Sequence, residues 1–226
     1  MKKHLPNFLT CCNLLCGAVG IIFLLEDRGV AAAYFVWIAC LFDFFDGFAA
    51  RMLKVTSPIG KELDSLADVV SFGLLPALAM YKMIDASTSS ETLPYIGLMI
   101  AMFSALRLAI FNVDETQRDS FKGLNTPANA IFVTSLPLIE QQAGSWLYQT
   151  WTLIAITVLF SFLLVSRIEI FALKFKTFKW AENRIRFTFL ILSVLLLIVF
   201  QLVALPMIIL LYILLSLAHK AFLQKA

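Results

Sequence analysis

The chain has 226 residues, 61% hydrophobic and 15% charged, with a mean hydropathy of +0.88. Soluble domains carry about 25% charged residues, so the composition excludes an ordinary water-soluble globule and points to the bilayer class. A formal net charge of +3 lends nucleic-acid binding no support.

A spanning helix needs ~20 mostly apolar residues. On that basis helices are predicted over 8–25, 31–53, 62–84, 94–113, 126–141, 148–166, 187–203 and 205–223, the last two joined tightly around Leu205 and Pro206. Eight spans result, or six or seven if a segment such as the short fifth one does not cross. Cys11, Cys12, Cys16 and Cys40 lie in or beside the first two apolar runs, where they read as small packing residues rather than a disulfide framework. With the N-terminus inside, 16 of the 18 basic residues fall on one side of the membrane, leaving only Arg28 and Lys82 opposite. That asymmetry predicts a cytoplasmic N-terminus and an even number of spans. The run 174–180 alternates lysine with aromatic residues and is expected to lie in the headgroup layer, against membrane lipid.

Four aspartates interrupt this apolar pattern. Asp43, Asp46, Asp64 and Asp68 fall within 26 residues, at the cytoplasmic ends of the second and third predicted helices. Carboxylates are costly at bilayer depth and mark functional sites there. Asp43 and Asp46 are three apart, and Gly60, Asp64 and Asp68 recur every four residues, so each set shares one helix face. Pro58 and Ser57 suit a short turn between the two helices, which lets the faces converge. Hard oxygen ligands of this kind suit two divalent ions, Mg²⁺ or Mn²⁺. Two such ions are a recurrent clamp for displacement at phosphorus. Gly47 and Gly60 leave room for a bulky polar group, and Arg51 can fork onto a phosphate. A cation transporter using the same aspartates is the alternative from another class, although it does not account for the interleaved glycines and arginine.

The pattern Asp43-x2-Asp46-Gly47-x2-Ala50-Arg51-x8-Gly60-x3-Asp64-x3-Asp68 resembles the full signature of the CDP-alcohol phosphotransferases. The resemblance implies an all-α integral membrane protein with a six-helix core open to the cytoplasm, here with about two extra C-terminal transmembrane helices. It further implies a CDP-linked lipid donor, an alcohol acceptor and CMP as leaving group. By position, Asp43, Asp46, Asp64 and Asp68 correspond to the metal ligands, and Asp68 also to the general base. Gly47, Ala50, Arg51, Thr56 and Gly60 correspond to the positions that accommodate the CDP moiety.

Four stretches are similar to the serine-using branch of that family. They are 63–73, with Ser65 after the third aspartate, the opening 5–17, and the runs 107–113 and 121–128. Two positions depart from that branch: Ile110, where arginine is expected, and Asn125, where proline is. The resemblance implies transfer from CDP-diacylglycerol to L-serine, with glycerol 3-phosphate or inositol phosphate as alternative acceptors. Arg107, Asn112 and Lys122 are the candidates for binding serine. The expected organisation is a single membrane domain over 1–226: a catalytic core (1–166), a basic interfacial segment (167–186) and a C-terminal hairpin (187–226). The added spans are expected to serve packing, lipid contact or assembly into a homodimer. Location in the inner membrane is expected, with the active site facing the cytoplasm.

Overall fold

The computed structural model describes residues 4–55, 57–114, 120–139, 144–171, 173 and 179–223. The fold begins with α1 (Leu5–Leu25) and α2 (Gly29–Leu53), joined by a three-residue turn in which Asp27 adopts φ 61°. Pro6 sits in the first turn of α1, where a missing N–H costs nothing. The two helices form the most extensive helix pair in the molecule.

The next helix is capped by Ser57, whose Oγ accepts a 3.3 Å bond from the Gly60 amide, with Pro58 leading the first turn. It runs as α3 (Pro58–Asp68), widens into a π-helical stretch over Val69–Leu74 and continues as α4 (Leu75–Ser87). Such π insertions shift the register of a helix and concentrate at functional sites. This one starts immediately after Asp68. A 3₁₀ turn over Leu93–Leu98 leads into α5 (Met99–Val113), and α6 (Thr126–Ser135) ends in a 3₁₀ turn over Leu136–Ile139. After α7 (Thr150–Val165), the last apolar stretch breaks at Gln201, φ 51°, into α8 (Trp180–Phe200) and α9 (Ala204–Leu223). These elements follow the order and approximate limits read from hydropathy. Among the described residues, five stretches are long and apolar enough to cross a membrane, the last being the whole of Asn183–His219, and Thr126–Ile139 and Thr150–Val165 are shorter.

Hydropathy does not reveal the small antiparallel sheet of β1 (Ser120–Lys122) and β2 (Glu169–Phe171). It ties the connection after α5 to the connection after α7. Gly123 makes the junction possible: its φ is +78°, and an added Cβ would lie 2.3 Å from the Leu164 carbonyl oxygen. Its amide donates to the Ile168 carbonyl at 2.8 Å, and the Leu124 amide donates to Leu163 at 2.9 Å. Asn125, the departure from proline, caps α6 by accepting from the Ala128 amide at 2.9 Å, which a proline side chain cannot do.

Two buried apolar clusters hold the helices. One joins α1, α2, the π stretch and α4 through Leu24, Val36, Phe72 and Leu75. The other joins α4–α9 through Met80, Ile100, Leu136, Leu153 and Phe160. In the second, Phe132 stacks on Phe160 at 3.9 Å. The C-terminal hairpin belongs to this cluster: Phe171, Phe189 and Tyr212 pack edge to face or tilted, and the Tyr212 hydroxyl donates to the Phe171 carbonyl at 2.7 Å. Residues 174–178, the heart of the expected headgroup segment, lie outside the described residues.

Gly123→Ala is expected to cost about 1–3 kcal/mol, since it forces a β-carbon into a strained conformation against a backbone carbonyl. A clearly lowered midpoint in a thermal melt of the detergent-solubilised protein is the check, with Gly144→Ala, φ +80° but free of any contact tighter than 3.3 Å, as the milder control.

Candidate metal centre and adjoining cavities

Carboxylates on α2 and α3 converge as their spacing predicts. Asp43, Asp64 and Asp68 each place an oxygen within 4.8 Å of the others, an arrangement able to hold a metal ion. Asp64 Oδ1 is buried and has no hydrogen-bond partner. Three carboxylates held this close repel one another, and an unpartnered buried oxygen is costly, so the donor set fits a hard divalent cation. Asp46 is not part of this trio but is buried beside it, and it shares a cavity wall with Asp64.

Two residues of α1 fix these acids. Thr10 Oγ1 donates to Asp46 Oδ2 at 2.6 Å, and Asn13 Nδ2 donates to Asp68 Oδ1 at 3.1 Å. The two donors are three residues apart and therefore on one helix face. α1 comes this close because Gly17 lacks a side chain: a Cβ there would meet Ser71 Oγ at 2.4 Å. Ser71, in the π stretch, donates to the Asn13 carbonyl at 3.0 Å and locks the crossing. Neither Thr10 nor Asn13 belongs to the aspartate signature; the signal for them is two polar residues at i and i+3 on an otherwise apolar helix.

A first cavity of about 510 Å³ opens beside the cluster, lined by residues of α1, the end of α2 and the start of α3. Gly47, Ala50 and Gly60 line it, and a Cβ at Gly47 would meet nothing within 4 Å. Three of the expected nucleotide positions are thus brought together. Arg51 is exposed on the last turn of α2 and is not among the lining residues. Thr56 lies outside the described residues.

A second cavity, about 640 Å³, lies between α5, the end of α7 and the small sheet. Its wall includes Arg107, Lys122 and Arg167 together with Asp114 and Glu169, and Ile110 lies on it as well. Lys122 pairs with Asp114 at 2.9 Å. Arg107 is only 7% exposed, and its Nη1 reaches Thr126 Oγ1 at 3.4 Å. Its Nε is buried with no partner among the described residues, and its charge lies close enough to act on Asp68 and Asp43. An unpaired buried guanidinium donor beside a cavity marks a place for an anionic group. Asn112, the third expected serine contact, is engaged elsewhere: its Nδ2 donates to Ser65 Oγ at 2.7 Å, and it is absent from the cavity wall. Ser65, which follows Asp64, is therefore fastened to α5.

Comparison with known proteins agrees with this arrangement. A family model described as CDP-alcohol phosphatidyltransferase matches residues 3–219. The chain is 34% identical over 171 residues to a CDP-diacylglycerol–serine O-phosphatidyltransferase of Bacillus subtilis (strain 168), covering 74% of this chain and 89% of that protein. A protein of the same name from Mycobacterium leprae (strain TN) is 36% identical over 175 residues, covering 73% of this chain, which spans 57% of its relative's length. An archaetidylserine synthase of Methanothermobacter thermautotrophicus (strain Delta H) is 31% identical over 167 residues, or 73% of this chain and 68% of that protein. Family members generally depend on a divalent metal. With its aspartate signature gathered at one site and the match extending over nearly its whole length, the chain belongs to the CDP-alcohol phosphatidyltransferase family of transferases.

Proposed function

We propose that the protein is a phosphatidylserine synthase, transferring the phosphatidyl group of CDP-diacylglycerol to the hydroxyl of L-serine with release of CMP. The observation that carries this reading is that the Asp43–Asp64–Asp68 cluster adjoins two cavities of different character, Asp64 lining one and Arg107, whose charge acts on Asp68 and Asp43, lining the other. The first is glycine-lined and fits a nucleotide, with Gly47, Ala50 and Gly60 making room for the CDP moiety. The second carries both signs of charge, which suits a zwitterion better than a phosphorylated alcohol. Relatives whose names specify different lipids, phosphatidyl and archaetidyl, both name serine.

In this reading Asp43, Asp64 and Asp68, with Asp46 beside them, would hold two divalent ions, Mg²⁺ or Mn²⁺. When bound, the ions supply charge neutralisation on the diphosphate and on the oxygens entering and leaving phosphorus. Arg107 receives the serine carboxylate on its free Nε, and Lys122, with the acids around it, completes the acceptor chamber. Asn112 acts through Ser65, keeping α3 and α5 in register. The serine hydroxyl oxygen forms the new bond to the lipid-side phosphorus, the bond from that phosphorus to the CMP oxygen breaks, and Asp68 takes the hydroxyl proton. The Asn13 bond to Oδ1 orients Asp68 for that transfer and leaves Oδ2 as its second acceptor atom. Lysine and arginine placement supports an inner-membrane protein whose N-terminus and active site face the cytoplasm. One catalytic domain with a packed C-terminal hairpin and assembly as a homodimer complete the proposal.

Purified protein given CDP-diacylglycerol and divalent metal is expected to release CMP only when serine is added, and not with glycerol 3-phosphate or inositol phosphate. Loss of a general base typically costs about 10²–10⁴-fold in rate, so Asp68→Asn is expected to fall at least that far. Absence of CMP with every acceptor overturns the enzyme; CMP with glycerol 3-phosphate alone overturns the acceptor.

Metal binding gives an independent readout. Followed by electron paramagnetic resonance with Mn²⁺ as probe, Asn13→Leu is expected to weaken the site by about 10–100-fold, the usual cost of losing a group that orients a ligand. Asp64→Asn is expected to do at least as much, and Arg51→Ala to leave the titration unchanged.

A further inference from the structure

The first cavity has acids on its wall but, among its described lining residues, a single base. Lys61 faces the same space as Asp46, Gly47, Gly60 and Asp64. No carboxylate among the described residues forms a salt bridge with it. Its Nζ instead donates at 2.7 Å to the main-chain carbonyl of Asn112, in the last turn of α5. That bond is exposed to solvent and made to a neutral acceptor, so water replaces it at little net cost. A phosphate oxygen offers the same ammonium an acceptor of opposite charge, an ion-paired bond that a neutral carbonyl cannot match. A lysine stem is long and flexible, with rotatable donors at its tip, and can exchange one partner for another from a fixed backbone position.

We infer that Lys61 is a donor-recognising residue, whose ammonium leaves the Asn112 carbonyl for an oxygen of the diphosphate when CDP-lipid enters the first cavity. The inference rests on the reading of the chain as a CDP-lipid transferase. It assigns to Lys61 the phosphate contact that motif spacing alone suggests for Arg51. It also links the two chambers, because the bond given up belongs to α5, the helix that carries Arg107 and, through Asn112, holds Ser65. Arrival of the donor thereby frees the end of the helix that lines the acceptor cavity.

The test uses the full chain in lipid nanodiscs, as wild type, Lys61→Met and Lys61→Arg. Calorimetric titration with CDP in the presence of Mg²⁺ is combined with steady-state kinetics for each substrate and a thermal melt. Loss of one charge-assisted contact corresponds to about tenfold in affinity, so Lys61→Met is expected to raise the Kd for CDP and the KM for CDP-diacylglycerol by that factor. The KM for serine and the melting temperature are expected to stay near wild type, and Lys61→Arg to recover most of the loss. An unchanged Kd for CDP in Lys61→Met overturns the inference. So does a lowered melting temperature with raised KM for serine and unaltered donor KM, the signature of a lysine that merely caps α5. A wild type that binds CDP yet transfers to no alcohol strikes the proposed reaction and not Lys61, which the CDP titration judges separately.

Discussion

Four carboxylates brought together inside a membrane domain impose the constraint from which most of this architecture follows. The effective cost of burying an ion is several kcal/mol even after the protein relaxes, and it falls only when donors or counter-charges are supplied. α1 supplies donors, Thr10 to Asp46 and Asn13 to Asp68. It can do so only by lying against the π stretch, which Gly17 permits and the Ser71 bond fixes. Arg107, on α5, supplies positive charge that acts on Asp68 and Asp43. The remaining deficit, marked by the unpartnered Asp64 Oδ1, is one that a divalent cation meets.

The division into two cavities gives that cluster a direction. Helices α1–α3 enclose the space on one side, whereas α5, α7 and the small sheet enclose the other. A displacement at phosphorus needs room for both an entering and a leaving group, and two separate cavities, one lined by Asp64 and the other by Arg107, supply separate spaces near the carboxylates. The seam between them is polar and specific. Ser65, Asn112 and Lys61 form a continuous set of bonds from α3 to α5 there, so the Ser65 that distinguishes this chain's motif is a structural fastening as well as a family marker.

Much of this was legible in the sequence because two of its signals are strong. Long apolar runs fix helices in a bilayer with little dependence on context, and the i+3 spacing of Asp43 and Asp46 and the i+4 spacing of Asp64 and Asp68 put each pair on one helix face. What stayed hidden depends on tertiary contact. β1 and β2 are three residues each and acquire meaning only through each other. Arg51 fits a phosphate by spacing, but on the last turn of α2 it is exposed and outside the cavity wall. Asn112 carries a side chain suited to a substrate and spends it on Ser65. The C-terminal hairpin is apolar and patternless, and nothing in its sequence shows that Tyr212 reaches the carbonyl at the end of β2.

The β1–β2 pairing also orders events in time. Every described residue lining the first cavity falls within 6–64, so those walls leave the ribosome with the first third of the chain. The second cavity needs Glu169, and β2 is buttressed in turn by Tyr212 from the final helix. During synthesis the chain that walls the first cavity is therefore made long before the second cavity can close. The two spaces are completed in sequence, the second only once the final helix has come to rest against β2.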